Sequence, residues 1–353
     1  MLFAAFAFPM ALAASRSEAG KNAEIMSGGE GGGTGLGTGE HLFSAEQVFS
    51  SGTSRNEFSA QPSEPEKQTL PARPAELPET VALLSDGEIS EVSLEELVCR
   101  VTAAEMPALF PEEALKAQAV AVRTYIYYRL EHPVKEHPDA AVCDDPNHCC
   151  AVADRNALVV SWGESGDEWY SRIEAAAKET QGKVIEYGGE TILAVFHAMS
   201  AKATASAEEV WGGAVPYLVS VPSPGGESEY SVWKSEVYIG KDDFAESFLA
   251  EYPEAELGEG EWFSDMELEP SGYVRSVRVG GVEVGGGELR CFCGLKSACF
   301  SVEEGTDLLR FTVFGYGHGV GMSQYGARAM AENGRTWEEI LLHYYPGTDI
   351  KNR

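Results

Sequence analysis

The feature that most constrains this fold is the run VTAAEMPALFPEEALKAQAVAVRTY at residues 101–125. Pro111 opens a stretch of Ala, Leu, Lys and Gln that predicts a helix to about Leu130. Proline suits a first helical position, and Glu112 and Glu113 suit the positive end of the helix dipole. Leu115, Ala119, Val122 and Ile126 fall on one face, which leaves Lys116, Gln118, Arg123 and Tyr125 to line the other sides. Glu105 lies just before this helix. A single carboxylic acid in a partly desolvated cleft can hold a proton near neutral pH and deliver it to a leaving oxygen.

Around that helix the chain divides by composition. Residues 1–14, MLFAAFAFPMALAA, are nearly all apolar and resemble the hydrophobic part of an export signal or anchor, too short for the ~20 residues of a spanning helix. Residues 15–80 are rich in Gly, Pro, Ser and Glu and read as a disordered linker, because they cannot bury enough apolar surface to offset ordering. The folded body is expected over 81–351, with room for a smaller inserted subdomain around 225–300. Leu94 to Val101 reads as a short helix or strand, and 133–157 as a long irregular loop. A helix is predicted at about Asp167 to Thr180, followed by a hairpin. Its strands are Lys183 to Tyr187 and Thr191 to His197, around Gly188 and Gly189. Further hairpin-like sequence lies at Val274 to Gly280 and Val282 to Phe292. Leu308 to Phe314 reads as a strand, and Ser323 to Asn333 and Trp337 to Tyr344 as closing helices. Helices and strands in mixed order, without a βαβ beat, predict an α+β class: mixed helices and β-hairpins forming a cleft-bearing body after a disordered N-terminal tether.

Charge excludes one class of partner. The 353 residues carry 56 Asp and Glu against 26 Lys and Arg, a formal net charge of -30. Nucleic acid would be repelled, and a polyanionic ligand would need a local basic site. The 7 cysteines cannot all pair within the chain. His137, Cys143 and Cys149 are spaced with five residues between each pair. Imidazole and thiolates are zinc ligands, and a fourth position falls to water, His148 or Cys150. A Cys143–Cys149 disulfide and a metal-free loop are the rival readings. Cys291, Cys293 and Cys299 read as structural thiols.

Five strings are distinctive together: AAEMP at 103–107, EALKAQAVAVRTY at 113–125, EEVWGGAVPYLVSV at 208–221, GYGHGVGMSQYGARAMA at 315–331 and ILLHYYPGTDI at 340–350. Over about residues 88–351 the chain resembles the stage II sporulation protein D family, grouped with amidase enhancers. The resemblance implies a peptidoglycan lytic transglycosylase. Such an enzyme cuts glycan strands lacking stem peptides and leaves 1,6-anhydro ends during engulfment. It implies Glu105 as the single general acid/base, and Lys116, Arg123, His197, Ser200, His318, Gln324 and Tyr325 as substrate contacts. It adds weight to a structural zinc on His137, Cys143 and Cys149. The implied partners are peptidoglycan strands, a SpoIIP-like amidase/endopeptidase and other engulfment proteins. The implied place is outside the mother-cell membrane, with 1–14 as a possible anchor. After His197 the family usually carries Ser-Thr-Ser-Gly-Gly, whereas this chain has Ala198, Met199, Ser200, Ala201 and Lys202, which leaves a close backbone approach to the sugar in doubt. The competing reading is a non-enzymatic cell-wall module that activates a partner amidase.

Overall fold

The computed structural model describes residues 76–146, 148–226 and 230–353. The expected export segment at 1–14 and the expected linker up to residue 75 lie outside the described residues. Among the described residues no helix is long and apolar enough to cross a membrane.

Two consecutive helices organise the larger core. Helix α1 spans Leu94–Glu105 and is started by Ser93, whose hydroxyl accepts the Glu96 N–H at 3.5 Å. Its last residue is Glu105, after which Met106 turns extended. Helix α2 spans Glu112–Glu131, with Pro111 at its N-cap, within one residue of the expected limits. The amphipathic reading of α2 is revised, because every residue from 114 to 127 is buried. The helix is surrounded by α1, by the Gly166–Glu179, Gln324–Glu332 and Trp337–Tyr344 helices and by the Lys183–Tyr187 strand. Alanines at 114, 117, 119 and 121 leave room for that approach, and polar groups on the helix must then find partners inside.

The hairpin after the Gly166–Glu179 helix is shorter than expected. Lys183–Tyr187 pairs with Glu190–Thr191 on one side and with the C-terminal Asp349–Asn352 strand on the other. Residues 192–196 then cross the core buried on both sides, and Phe196–His197 pairs in parallel with Met322–Ser323. The continuous apolar run Ile192 to Phe196 is the cause, since a half-exposed hairpin strand would alternate. A second correction falls at 282–292. Val274–Val279 and Val282–Gly285 form the hairpin, but Gly286–Phe292 is a helix. Leu308–Phe314 is a strand as expected, lying between Phe300–Glu304 and Lys234–Gly240. A second buried cluster, including Phe244, Phe248, Val277, Leu289 and Phe311, fills this half of the chain. The architecture is a mixed α/β fold of small sheets around the α1–α2 pair.

Gly321 is fixed by packing as well as by its backbone. Its φ is +73°, and a Cβ there would lie 2.0 Å from the Val195 carbonyl oxygen. Gly334 has a similar φ of +78° in open space. Gly334→Ala is expected to cost about 1 kcal/mol, the left-handed penalty alone, and Gly321→Ala at least ~2 kcal/mol more, because backbone must move. Paired urea melts read the difference.

Candidate metal centre

The irregular loop after α2 is drawn together by four donor groups. The ligand atoms of His137, Cys143, His148 and Cys149 all lie within 4.8 Å of one another. His137 Nε2 is 3.2 Å from both His148 Nδ1 and Cys149 Sγ. His148 Nδ1 is 3.3 Å from Cys143 Sγ and 3.4 Å from Cys149 Sγ. A tetrahedral zinc with the usual bond lengths sets its ligand atoms roughly 3.3–3.8 Å apart, so the donor set and spacing fit a structural zinc. His137 Nδ1 donates to the Ala140 carbonyl at 3.1 Å, which fixes the tautomer that leaves Nε2 for the metal. Glu136 stands 3.7 Å from His148 Nε2 and supports the other imidazole. Cys143 and Cys149 share a hydrogen bond that holds the Cys143 thiol well below its ordinary value, with His148 adding to the effect and burial opposing it. The same bond, with burial, pushes Cys149 up.

His148 thus takes the fourth position, and Cys150 stays outside the cluster. All seven cysteines are free, so the disulfide reading is set aside. Val142–Cys143 pairs in parallel with Leu83 and Leu84, which anchors one donor to regular structure. His137, Cys143 and Cys149 were suggested by ligand chemistry and supported by the family resemblance, since their spacing is not a zinc-finger pattern. His148 was only one of three options, because adjacency to Cys149 argued neither for nor against it.

Glu105 lies beside this loop, buried in the fold. It is 3 % exposed and accepts the Ala151 N–H at 3.1 Å. Burial lifts its carboxyl to about 7, against that one hydrogen bond. A proton donor must also reach the atom it protonates, and this one is enclosed. The expectation of an enzyme, a lytic transglycosylase working through one Glu general acid/base, is therefore corrected. The chemistry-bearing group the fold assembles is a His/Cys metal-binding cluster, and Glu105 is a buried carboxyl held by the strand of chain that leaves it. Among the described residues an open groove of about 770 Å³ is lined by residues such as Lys202, Pro222, Met330, Arg335 and His343.

The buried carboxyl has a pH consequence. Its folded pKa lies above its ordinary value of 4.5, so the native state holds a proton that the unfolded chain has lost. Stability then falls as pH rises from about 4.5 to about 7 and is flat beyond, by an amount on the order of 3 kcal/mol. Glu105→Gln is expected to remove that slope and to be the more stable form at neutral pH. Urea titrations of both proteins at a series of pH values check it.

The other expected site residues fall into two places. His197, Ser200, His318 and Gln324 gather at the Phe196–His197/Met322–Ser323 pairing. His197 Nδ1 donates to the Val320 carbonyl at 3.1 Å, so its Nε2 accepts the Ser200 hydroxyl at 2.6 Å. His318 Nε2 donates to the Phe196 carbonyl and its Nδ1 accepts the Val320 N–H. Burial holds His197 down at about 4 and His318 well below the ordinary histidine value, so both are neutral at pH 7. The two rings are 5.7 Å apart, and Trp211 lies 5.6 Å from His318. Gln324 is buried at the head of its helix, with no protein partner for Nε2. Tyr325 packs edge-on against Phe110 and Tyr230. Sequence reading missed Trp211, whose only signal was its place in the EEVWGG string.

Lys116 and Arg123 are elsewhere and otherwise engaged. Lys116 is held by Glu112 and Glu179, both at 2.6 Å, and by Glu113 at 3.2 Å. Arg123 is fully buried, paired with Glu95 at 2.7 and 2.8 Å and donating to the carbonyls of Ala177, Thr180 and Lys183. The two share a helix, but the basic face expected of them is closed by carboxylates and backbone.

Comparison with known proteins accords with this arrangement. The family model described as stage II sporulation protein matches residues 85–187, the stretch holding α1, α2, the four donors and the next helix. The amidase enhancer of Bacillus subtilis (strain 168) is 28% identical over 295 residues, 70% of this chain and 39% of that protein. Stage II sporulation protein D of Bacillus amyloliquefaciens is 34% identical over 284 residues, 80% of either chain. With stage II sporulation protein D of Bacillus subtilis (strain 168) also 34% identical over 294 residues, 83% of either chain, this chain belongs to the stage II sporulation protein D family.

Proposed function

We propose that this chain is a cell-wall module that binds peptidoglycan glycan strands and stimulates a partner amidase during sporulation, without cutting the strand itself. The observation that carries the reading is the closed cluster of His137, Cys143, His148 and Cys149. Four protein ligands make a structural metal site, whereas a catalytic zinc keeps a position open. The ion would hold the 137–149 loop in one shape and leave proton chemistry to others. A relative named amidase enhancer supports the partner half of the reading.

On this reading the wall strand meets the seam around His197. Neutral, hydrogen-bonded imidazoles, the Ser200 hydroxyl and the buried Gln324 amide shape it from within, and Tyr325 borders it. Lys116 contributes charge at the edge of α2, and Arg123 holds that helix in place. The partner is an amidase/endopeptidase of the SpoIIP-like kind, with other engulfment proteins near it. The site of action is outside the mother-cell membrane, with residues 1–14 as signal or tether. The acidic surface disfavours nucleic acid.

The test combines purified wall sacculi, the zinc-loaded chain and a wall amidase. Co-sedimentation with sacculi and a several-fold rise in peptide release by the amidase, with no new glycan ends from the chain alone, is the expected result. A chain that neither sediments with sacculi nor alters the amidase rate overturns the proposal.

A further inference from the structure

Two lysines of this acidic chain flank the loop around Tyr316. Elsewhere Lys234, Lys241 and Lys351, like Lys116, sit on carboxylates. Lys296 instead lies with its Nζ 5.4 Å from the centre of the Tyr316 ring, and its carbonyl accepts the Gly317 N–H at 2.9 Å. Lys202 comes from the opposite strand of the same place, because Met199 and Tyr316 exchange backbone hydrogen bonds at 2.9 and 2.7 Å. Lys202 is exposed, borders the open groove, and is near enough to Cys299 to oppose the upward push that burial gives its thiol. Arg290 is buried, and its charge bears on His197, His318, Tyr273 and Tyr316. Tyr316 and Trp211 are half-buried rings at this loop, Trp211 against His318. The histidines are sealed, so a ligand here touches the rings and the lysines.

We propose that Lys202 and Lys296, backed by Arg290, form a carboxylate subsite beside Trp211 and Tyr316 that takes an acidic sugar of the bound strand. The inference rests on the wall-strand reading and deepens it. Exposed half-rings offer flat apolar faces to the C–H side of a sugar, and ammonium groups make charge-assisted hydrogen bonds to a carboxylate. With acids outnumbering bases 56 to 26 over the chain, a local cationic loop is what lets an anionic strand approach against the overall field.

The experiment is calorimetric binding of stem-free glycan strands, intact or with carboxylates converted to methyl amides, to wild type and to Lys202→Gln/Lys296→Gln. Both lysines are exposed, and zinc content and melting temperature confirm the fold of the variant. Wild type is expected to bind the intact strand about 10-fold tighter than the amidated one, as one or two charge-assisted contacts would give. That preference should shrink as salt rises. The variant is expected to bind both strands as wild type binds the amidated one. Equal affinity of wild type for the two strands, or a preference that survives in the variant, overturns the subsite and leaves wall binding standing. No binding of either strand by wild type overturns the wall-strand reading and the subsite with it.

Discussion

Cys143→Ser combined with Cys149→Ser is expected to abolish zinc binding and to lower stability by on the order of 4 kcal/mol. The four donors are the main ties across a loop that otherwise offers little regular structure, one two-residue strand at Val142–Cys143. Serine keeps the size of each side chain and removes the soft ligand, leaving two imidazoles that hold zinc weakly. A chelator should lower the melting temperature of wild type by a similar amount and leave the double variant unchanged, since the ion is then already gone. A reductant should leave wild type unaltered, because both sulfurs are free thiols rather than a bridge. Zinc content and thermal melts on the same samples read all three outcomes. A variant that melts like wild type while lacking zinc contradicts a structural role for the site.

Arg123→Met is expected to cost about 3 kcal/mol, the low end of the range for removing one partner of a buried ion pair, because Glu95 is 29% exposed. The guanidinium ties α1, through Glu95, to the end of the Gly166–Glu179 helix and to the strand that follows, through three carbonyls. Methionine fills much of the space but returns none of the five hydrogen bonds. Glu95, whose side chain is 29% exposed, loses its partner, and the carbonyls of Ala177, Thr180 and Lys183 lose a donor. Arg123→Met with Glu95→Leu should recover part of the loss, because the uncompensated carboxylate goes with it. Urea unfolding of the single and double variants measures this. A single variant within 1 kcal/mol of wild type, by the ±0.5 kcal/mol scale of ordinary surface changes, contradicts the clamp.

Those two sites show what the sequence made legible. Pro111 and the alanine-rich run fixed α2 to within a residue, because proline placement and helix propensity are local. Its surroundings were not local. Four helices and a strand close over it, and both Lys116 and Arg123 are ion-paired within that packing. The Lys183–Tyr187 strand was legible from alternation and the Gly188–Gly189 turn. The partner it takes from residues 349–352 was not, because pairing over so long a separation leaves no periodic mark. The donors His137, Cys143 and Cys149 were legible from ligand chemistry, while His148 was decided by the turn that brings Nδ1 back to both sulfurs. Glu105 was misread for a physical reason. The acid role came from the family resemblance, and only the packing of 149–151 against the end of α1 reveals that the carboxyl is enclosed. Lys296 reaches Tyr316 and Trp211 reaches His318 from separate segments, a juxtaposition that spacing does not encode.

The most direct test of the central claim is mass analysis of glycan termini. Stem-free strands are incubated with the zinc-loaded chain and, in parallel, with Glu105→Gln. The account expects strands that are bound and uncut by either protein. New anhydro ends produced by the wild-type chain and missing with Glu105→Gln would contradict it.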